Sequence, residues 1–238
     1  MNIKGLYKTS LVDYPDKVTS TIFLGGCNLR CGYCHNPDLA LNSSVLENIK
    51  EEEVLSFLEK RKNLIDGVTI SGGEPTIEKG LIPFLEKVKS LKLLVKIDTN
   101  GFMPHIISEC IENQLVDYVA VDIKTSPEKY PSLTGKDLSF DAVLATIDLL
   151  RGSFFFKGSV LDHEIRTTCV PGFVTVDDIK RIGESLGSVQ KYYLQQFVNT
   201  NAMLDSEMKI LTPYSIDYLY ELKNEAEKFS SFCSIRGI

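Results

Sequence analysis

Residues 18–37 read VTSTIFLGGCNLRCGYCHNP, a β-branched and aromatic run that passes directly into a loop holding Cys27, Cys31 and Cys34. Val, Thr, Ile and Phe suit a buried strand, so residues 18–24 are expected as a strand with the cysteines at its C-terminal end. The spacing C-x3-C-x2-C gathers three thiolates on a short stretch of chain. A four-iron cluster takes four thiolates and a structural zinc four Cys or His ligands, and no fourth lies nearby. A four-iron cluster here would keep one iron open to a small molecule. Gly25, Gly26 and Gly32 fit such a loop, because glycine lets backbone pass close to a bulky inorganic core. The alternatives are a zinc loop completed by a distant Cys or His, and three buried thiols without metal.

Outward from this loop, strands and helices alternate. Residues 50–62 carry Val54, Leu55 and Leu58 on one helical face, and residues 67–70 (GVTI) form a strand ending in Ser71-Gly72-Gly73-Glu74-Pro75. A helix bearing Leu81, Ile82, Leu85 and Val88 leads to a strand at 93–97, which ends in Asp98-Thr99-Asn100-Gly101. Pro104 opens the next helix, with Ile106, Ile107 and Cys110 on one side, and the strand at 118–121 ends in Asp122-Ile123-Lys124. Residues 125–139 read as a long loop, and Ser139 caps a helix bearing Val143, Leu144, Ile147 and Leu150. A strand at 163–168 containing Arg166, a helix with Val176, Ile179 and Ile182, and a sixth strand at 191–197 (KYYLQQF) follow. A last helix carries Ile216, Leu219, Ala226 and Phe229, and residues 233–236 add a short strand.

Six strand–helix units imply a parallel sheet with right-handed crossovers, doubly wound or curled into a barrel. Cys27, Glu74, Asp98, Asp122 and Lys124 all fall at or just past strand C-termini, the face on which parallel α/β folds build their sites. No repeat or interdomain linker interrupts the pattern, so residues 1–238 read as a single domain. Cys110, Cys169 and Cys233 lie far from one another and read as packing residues, as do His105 and His163 at surface or core positions. The apolar run 154–156 (FFF) reads as a tucked-in core segment.

The chain has 238 residues, 43% of them hydrophobic, and a net charge of −6. That length supports a full core, and the acidic balance without a basic run argues against nucleic acid. Lys4, Lys8, Asp13, Asp16 and Lys17 exclude a signal-peptide apolar region near the start, and no stretch has the ~18 apolar residues of a membrane span. A soluble, cytoplasmic protein is expected, with six cysteines in a reducing compartment.

The cysteine array with Tyr33 before its third cysteine, followed by a strand-ending GGE, resembles the radical S-adenosylmethionine superfamily. Within it, DYPDK at 13–17, CGYCHNP at 31–37, DTNG at 98–101, DIK at 122–124, RTTCVPG at 166–172 and LQQF at 194–197 are similar to activating enzymes of glycyl-radical proteins. The similarity is greatest to anaerobic ribonucleoside-triphosphate reductase activating proteins and more distant to pyruvate formate-lyase activating enzyme. The resemblance implies a partial (βα)6 barrel with parallel strands, outer helices and an open side. It implies a [4Fe-4S] cluster on Cys27, Cys31 and Cys34 whose open iron is chelated by the amino and carboxylate groups of S-adenosylmethionine. Reductive cleavage would then give a 5′-deoxyadenosyl radical that generates a glycyl radical on a large partner, with flavodoxin or ferredoxin as electron donor.

Carried over residue by residue, Glu74 is expected to face the ligand's ammonium, with Gly72 and Gly73 keeping the backbone low beside it. Tyr33 and His35 are expected to flank the adenine, and Lys124 and Arg166 to face the carboxylate and ribose. Asp98 with Asp122 resembles a monovalent-cation site. Two departures stand out: Phe197 occupies a place where pyruvate formate-lyase activating enzymes carry a histidine, and residues 151–164 are longer and more apolar than the relatives' pattern. A small-molecule radical enzyme such as a 7-carboxy-7-deazaguanine synthase, and a non-catalytic zinc-stabilised binding module, are the competing readings.

Overall fold

A computed structural model describes residues 1–152, 155–156, 159–200 and 202–238, with backbone only at 155–156 and 159–160. The elements in chain order are β1 (Ile3–Ser10), β2 (Thr19–Leu24), α1 (Pro37–Leu41), α2 (Glu51–Arg61), β3 (Gly67–Gly72), α3 (Leu81–Ser90), β4 (Leu94–Thr99), α4 (Pro104–Glu112), β5 (Tyr118–Asp122), α5 (Tyr130–Thr134) and α6 (Asp141–Gly152). After the two-residue hairpin β6 (Phe155–Phe156) and β7 (Ser159–Val160) come β8 (Asp162–Cys169), α7 (Val176–Leu186), β9 (Val189–Gln196), α8 (Ile216–Ala226) and β10 (Ser230–Arg236). The FFF reading lies outside the described residues at Phe154 and at the side chains of 155 and 156.

One eight-stranded sheet runs β1-β2-β3-β4-β5-β8-β9-β10, and its first and last strands are not joined. Every neighbouring pair is parallel except β1 with β2. The six expected units are present, in an open barrel-type sheet with helices outside. β1 is an addition: it begins buried at Ile3, but its middle residues are half-buried or exposed, as an edge strand's are. Residues 125–139 are not all loop either; they include α5, ended by Gly135 in the left-handed region at φ 62°.

Alternation along each strand sorts side chains to two faces. Val68, Ile70, Val95, Ile97, Val119, Val121 and Ile165 are all fully buried and form the core under the helices. That layer meets stripes such as Leu81, Phe84, Leu85 and Val88 on α3 and Ile179, Ile182 and Leu186 on α7, the latter helix started by a Thr175–Asp178 capping box. The opposite, inner face carries polar residues in register. Thr69 pairs with Lys96, Lys96 with Tyr118, Asp98 with Ala120, Ala120 with Glu164, and Asp122 with Arg166. This inner layer is the floor on which the site rests. Among the described residues no helix is long and apolar enough to cross a membrane.

Candidate functional site

The cysteine loop leaves β2 at Leu24 and is pinned along its length. The Gly26 amide donates to the Leu39 carbonyl at 2.8 Å, Arg30 to Thr134 at 2.7 Å and Gly32 to Leu133 at 3.2 Å, so α1 and α5 both hold it. The Arg30 guanidinium folds back onto the carbonyls of Cys27 and Leu29, both at 2.7 Å. All three cysteines are free and half-buried, and they line one cavity of about 380 Å³. Burial pushes the Cys31 thiol up to about 12 and raises Cys27 too, with nearby Lys124 pulling the other way. Such thiols hold their protons until a metal displaces them.

Twelve residues are expected at the site from sequence, and eleven line this cavity: Cys27, Tyr33, Cys31, Cys34, His35, Gly72, Gly73, Glu74, Asp98, Asp122 and Lys124. Their common origin is topological, since each sits on or just beyond the C-terminal end of a parallel strand. The twelfth, Arg166, lies beneath the cavity floor. Its Nε donates to Asp122 at 2.7 Å and its Nη1 to Asp98 at 3.3 Å, so two carboxylates hold it down between them. Ala120, the strand neighbour between β4 and β8, carries too little side chain to block that reach.

The glycines act on the protein before any ligand. A Cβ on Gly72 (φ 117°) would stand 2.4 Å from the Leu24 carbonyl oxygen, and one on Gly73 would stand 1.8 Å from that of Gly26. Residues 72–73 and the cysteine loop can pack this closely only without side chains. Glu74 closes the same corner. It is buried, and its Oε1 accepts from the Thr76 amide (3.1 Å), the Thr76 hydroxyl (2.6 Å) and the Thr99 hydroxyl (2.7 Å), while Oε2 accepts from the Asn100 amide (2.7 Å). Burial raises its carboxyl above the ordinary range and these four donors oppose that. Glu74 thus ties the GGE loop to the DTNG loop and leaves Oε2 able to accept one donor more.

The floor is a charge network. Lys96 pairs with Asp98, Lys124 with Asp122 at 3.4 Å, and Glu164 with Arg236 through two 2.8 Å bonds. Burial alone would raise the Asp98 and Asp122 carboxyls, but Arg166 first, then Lys96 and Lys124 respectively, hold both below the usual range. Burial works against the Lys124 charge, and Asp122 more than offsets it. Four cations, Lys96, Lys124, Arg166 and Arg236, face three carboxylates, Asp98, Asp122 and Glu164, which leaves one positive charge in excess.

Sequence reasoning missed Ser71, Thr99, Asn100, Thr168, Gln195 and Gln196 as lining residues. Asn100 donates to Asn28 at 2.7 Å and so braces the cysteine loop. Phe197 does not face the cavity; it is fully buried in a second apolar cluster with Tyr33, Leu133, Val170 and Met203. Gln196 stands at the strand end instead, its amide nitrogen held by the Tyr214 carbonyl at 2.8 Å and its Oε1 buried without a partner.

Three soft thiolates facing one cavity fit an iron–sulfur cluster with an open position. Among the described residues no three His, Cys, Asp or Glu side chains are gathered as tightly as a single metal ion needs. The sequence profile of the radical SAM superfamily matches residues 21–193, and the chain belongs to that superfamily. Within it, two relatives similar over nearly the whole chain are named as activating enzymes. A Methanocaldococcus jannaschii protein named as a glycyl-radical enzyme activating enzyme is 35% identical over 99% of this chain and 96% of its own. The pyruvate formate-lyase-activating enzyme of Clostridium pasteurianum is 28% identical over 95% of each chain. The chain is thus of the glycyl-radical-enzyme activating type. Among solved structures, a radical SAM methyltransferase from Sphaerobacter thermophilus aligns at TM-score 0.68 and 13% identity over 94% of this chain and 67% of its own. Streptococcus suis SuiB bound to S-adenosylmethionine aligns at 0.64 and 17% over 89% of this chain, which spans about half of SuiB, 48%. These two likenesses concern the fold.

Proposed function

We propose that the protein binds a [4Fe-4S] cluster on Cys27, Cys31 and Cys34 and S-adenosylmethionine beside it, and generates a glycyl radical on an anaerobic ribonucleoside-triphosphate reductase. The observation that carries this reading is the single cavity that joins the three thiols to a buried carboxylate, Glu74, and to a floor with one positive charge in excess. An amino-acid moiety is a zwitterion; its ammonium matches Glu74 Oε2 and its carboxylate matches the floor at Lys124. When bound, the cluster and its ligand supply the one-electron chemistry that ends in hydrogen-atom abstraction from a glycine.

The chain's own residues bind, orient and exclude water. Glu74 is aligned by four donors before ligand arrives, Lys124 is kept charged by Asp122, and Tyr33 walls the cavity against the second apolar cluster. His35 is exposed at the rim, where it can contact an adenine. Arg166 is assigned to holding Asp98 and Asp122 and not to the ligand. A monovalent cation is left out, since both carboxylates already have protein cations as partners. The domain acts as one unit, residues 1–238, in the reducing cytoplasm, with flavodoxin or ferredoxin as donor; six free thiols suit that compartment.

The test is anaerobic. The reconstituted, reduced protein is mixed with S-adenosylmethionine and the host's anaerobic ribonucleotide reductase, and the electron paramagnetic resonance spectrum and 5′-deoxyadenosine are recorded. A glycyl doublet that disappears with Cys31→Ala is expected. Deoxyadenosine without a doublet would overturn the choice of partner, and neither signal from a verified cluster would overturn the reading itself.

A further inference from the structure

Glu164 lies outside the cavity, yet it is among the most completely buried carboxylates, with 1% of its side chain exposed. Three groups face it. The Arg236 guanidinium grips both oxygens at 2.8 Å, the Tyr118 hydroxyl donates at 2.9 Å, and Arg166 Nη1 stands at 3.8 Å, beyond hydrogen-bond distance. Arg236 comes from β10, the last strand of the sheet, and lies over the Tyr193 ring at 3.5 Å. It therefore reaches across β9 to neutralise a residue of β8.

Arg166 is thus shared among three carboxylates, and its position depends on how much charge each has left. Asp122 and Asp98 attract it upward, toward the cavity floor. Glu164, two residues before it on the same face of β8, attracts it the other way. With Arg236 in place, Glu164 has both oxygens occupied and little claim on a second guanidinium. Without Arg236, a buried carboxylate would be left with a tyrosine hydroxyl and, within 4 Å, a guanidinium already bound to Asp98 and Asp122, and the cost of a buried unpaired charge would draw Arg166 onto it. Asp98 would then keep only Lys96, and Asp122 only Lys124.

We propose that Arg236 is a positioning residue for S-adenosylmethionine: by saturating Glu164 it keeps Arg166 on Asp98 and Asp122 and so holds the cavity floor in its binding shape. This rests on the radical SAM reading of the cavity. A purely structural role for the pair, fastening β10 to the sheet, makes a different prediction. It requires that Arg236→Leu lower stability while Arg166 stays on Asp98 and Asp122 and S-adenosylmethionine affinity is unchanged.

The experiment compares Arg236→Leu with the double variant Arg236→Leu/Glu164→Gln, both as reconstituted full-length protein, by S-adenosylmethionine titration followed through the electron paramagnetic resonance signal of the reduced cluster. Arg236→Leu is expected to weaken binding about tenfold, a coupling of ordinary size for a shared buried network. The double variant, which lacks the competing carboxylate, is expected to return to within about threefold of the parent by the same reasoning. Parent-like affinity in Arg236→Leu, or equal weakness in both variants, would overturn the proposal. If Arg236→Leu does not fold, the double variant decides alone, since a folded double variant of low affinity contradicts it. A crystal structure of Arg236→Leu supplies a ligand-free readout: Arg166 is expected within hydrogen-bond distance of Glu164, and an unmoved Arg166 overturns the proposal. Failure of the parent protein to bind S-adenosylmethionine would sink the functional reading, and the crystal structure would still decide the role of Arg236.

Discussion

Gly73→Ala is the sharpest test of how the cysteine loop is held. The added Cβ would lie 1.8 Å from the Gly26 carbonyl oxygen, whereas close carbon–oxygen contacts begin near 3.3 Å. The two segments must therefore part by roughly 1.5 Å. The bonds flanking the clash are Gly73 N–H to Leu24 O and Glu74 N–H to Gly26 O, both 2.8 Å. The second cannot survive that opening. Losing it costs about 1–3 kcal/mol and the residual overpacking about as much again, so the total is about 2–5 kcal/mol. For a chain of this length that lowers Tm by about 5–15 °C. Gly26 precedes Cys27, while Cys31 and Cys34 stay anchored through Arg30 and Gly32 to α5. One ligand would then shift against the other two by more than the few tenths of an ångström a metal site tolerates. Iron and sulfide content after anaerobic reconstitution, with Tm by calorimetry, is the assay. Gly172→Ala is the control: it has φ 80° and nothing within 4 Å of a new Cβ, so it should cost about 1–2 kcal/mol and no iron. A Gly73→Ala protein with full iron and an unchanged Tm would refute the argument.

Other perturbations probe separate parts of the site. Ala120→Leu places a side chain between Arg166 and Asp98, and should weaken S-adenosylmethionine binding while costing about 1–3 kcal/mol of stability; unchanged affinity by calorimetric titration would show that the Arg166–Asp98 contact does not shape the floor. Tyr33→Phe removes a buried hydroxyl that has no partner, so Tm of the cluster-free protein should hold or rise by up to about 1 kcal/mol equivalent, and a fall would mean the hydroxyl is satisfied. Burial, aided by Lys191 and Arg151, holds the His163 pKa below its ordinary value against the pull of Asp162. Below about pH 6.5 the unfolded chain takes up a proton the folded chain refuses, so stability falls as pH drops through that point; Tm of His163→Leu should fall less between about pH 7.5 and 5.5 than that of the parent. Replacing sodium and potassium with a large organic cation should leave S-adenosylmethionine affinity within about twofold, because the floor already carries excess positive charge; a larger loss would restore the cation to the Asp98–Asp122 pair.

The units and the face that holds the site were legible because both follow from local pattern. Residue pattern located β2, β3, β4, β5, β8 and β9 to within two residues of their ends, and polar residues past the strands pointed to one rim. What escaped depended on partners distant in sequence. β1 pairs at an edge, and Lys4, Gly5 and Lys8 blur its alternation. Lys96 carries no local signal, and Arg166 is expected from the resemblance to face the ligand; only the register that puts Asp122 beside Arg166 turns it inward beneath the floor. Glu164 and Arg236 lie 72 residues apart, and nothing local couples them. Phe197 misleads for a simpler reason. It lies one residue beyond β9, where the alternation ends, and packs into the second apolar cluster, while Gln195, in register with the cavity-lining Thr168, is the strand residue on the cavity side.

The inner layer also explains why so many charges can lie under one cavity in a stable fold. Buried ions are costly singly, and a pair seldom repays the desolvation of both. Here each carboxylate answers two cations: Asp98 has Lys96 and Arg166, Asp122 has Lys124 and Arg166, and Glu164 has Arg236 with Arg166 in reserve. Such sharing fixes positions more than it adds stability, because moving one cation alters the balance at every carboxylate. The excess positive charge is tolerated without a ligand only because Lys124, at the cavity end, retains some exposure to solvent. A ligand carboxylate arriving there removes the excess and Lys124's remaining water together. Binding energy is thus concentrated at the cavity end of the network, while Arg236 at the other end, open to solvent over 36% of its side chain, sets how firmly that energy is delivered.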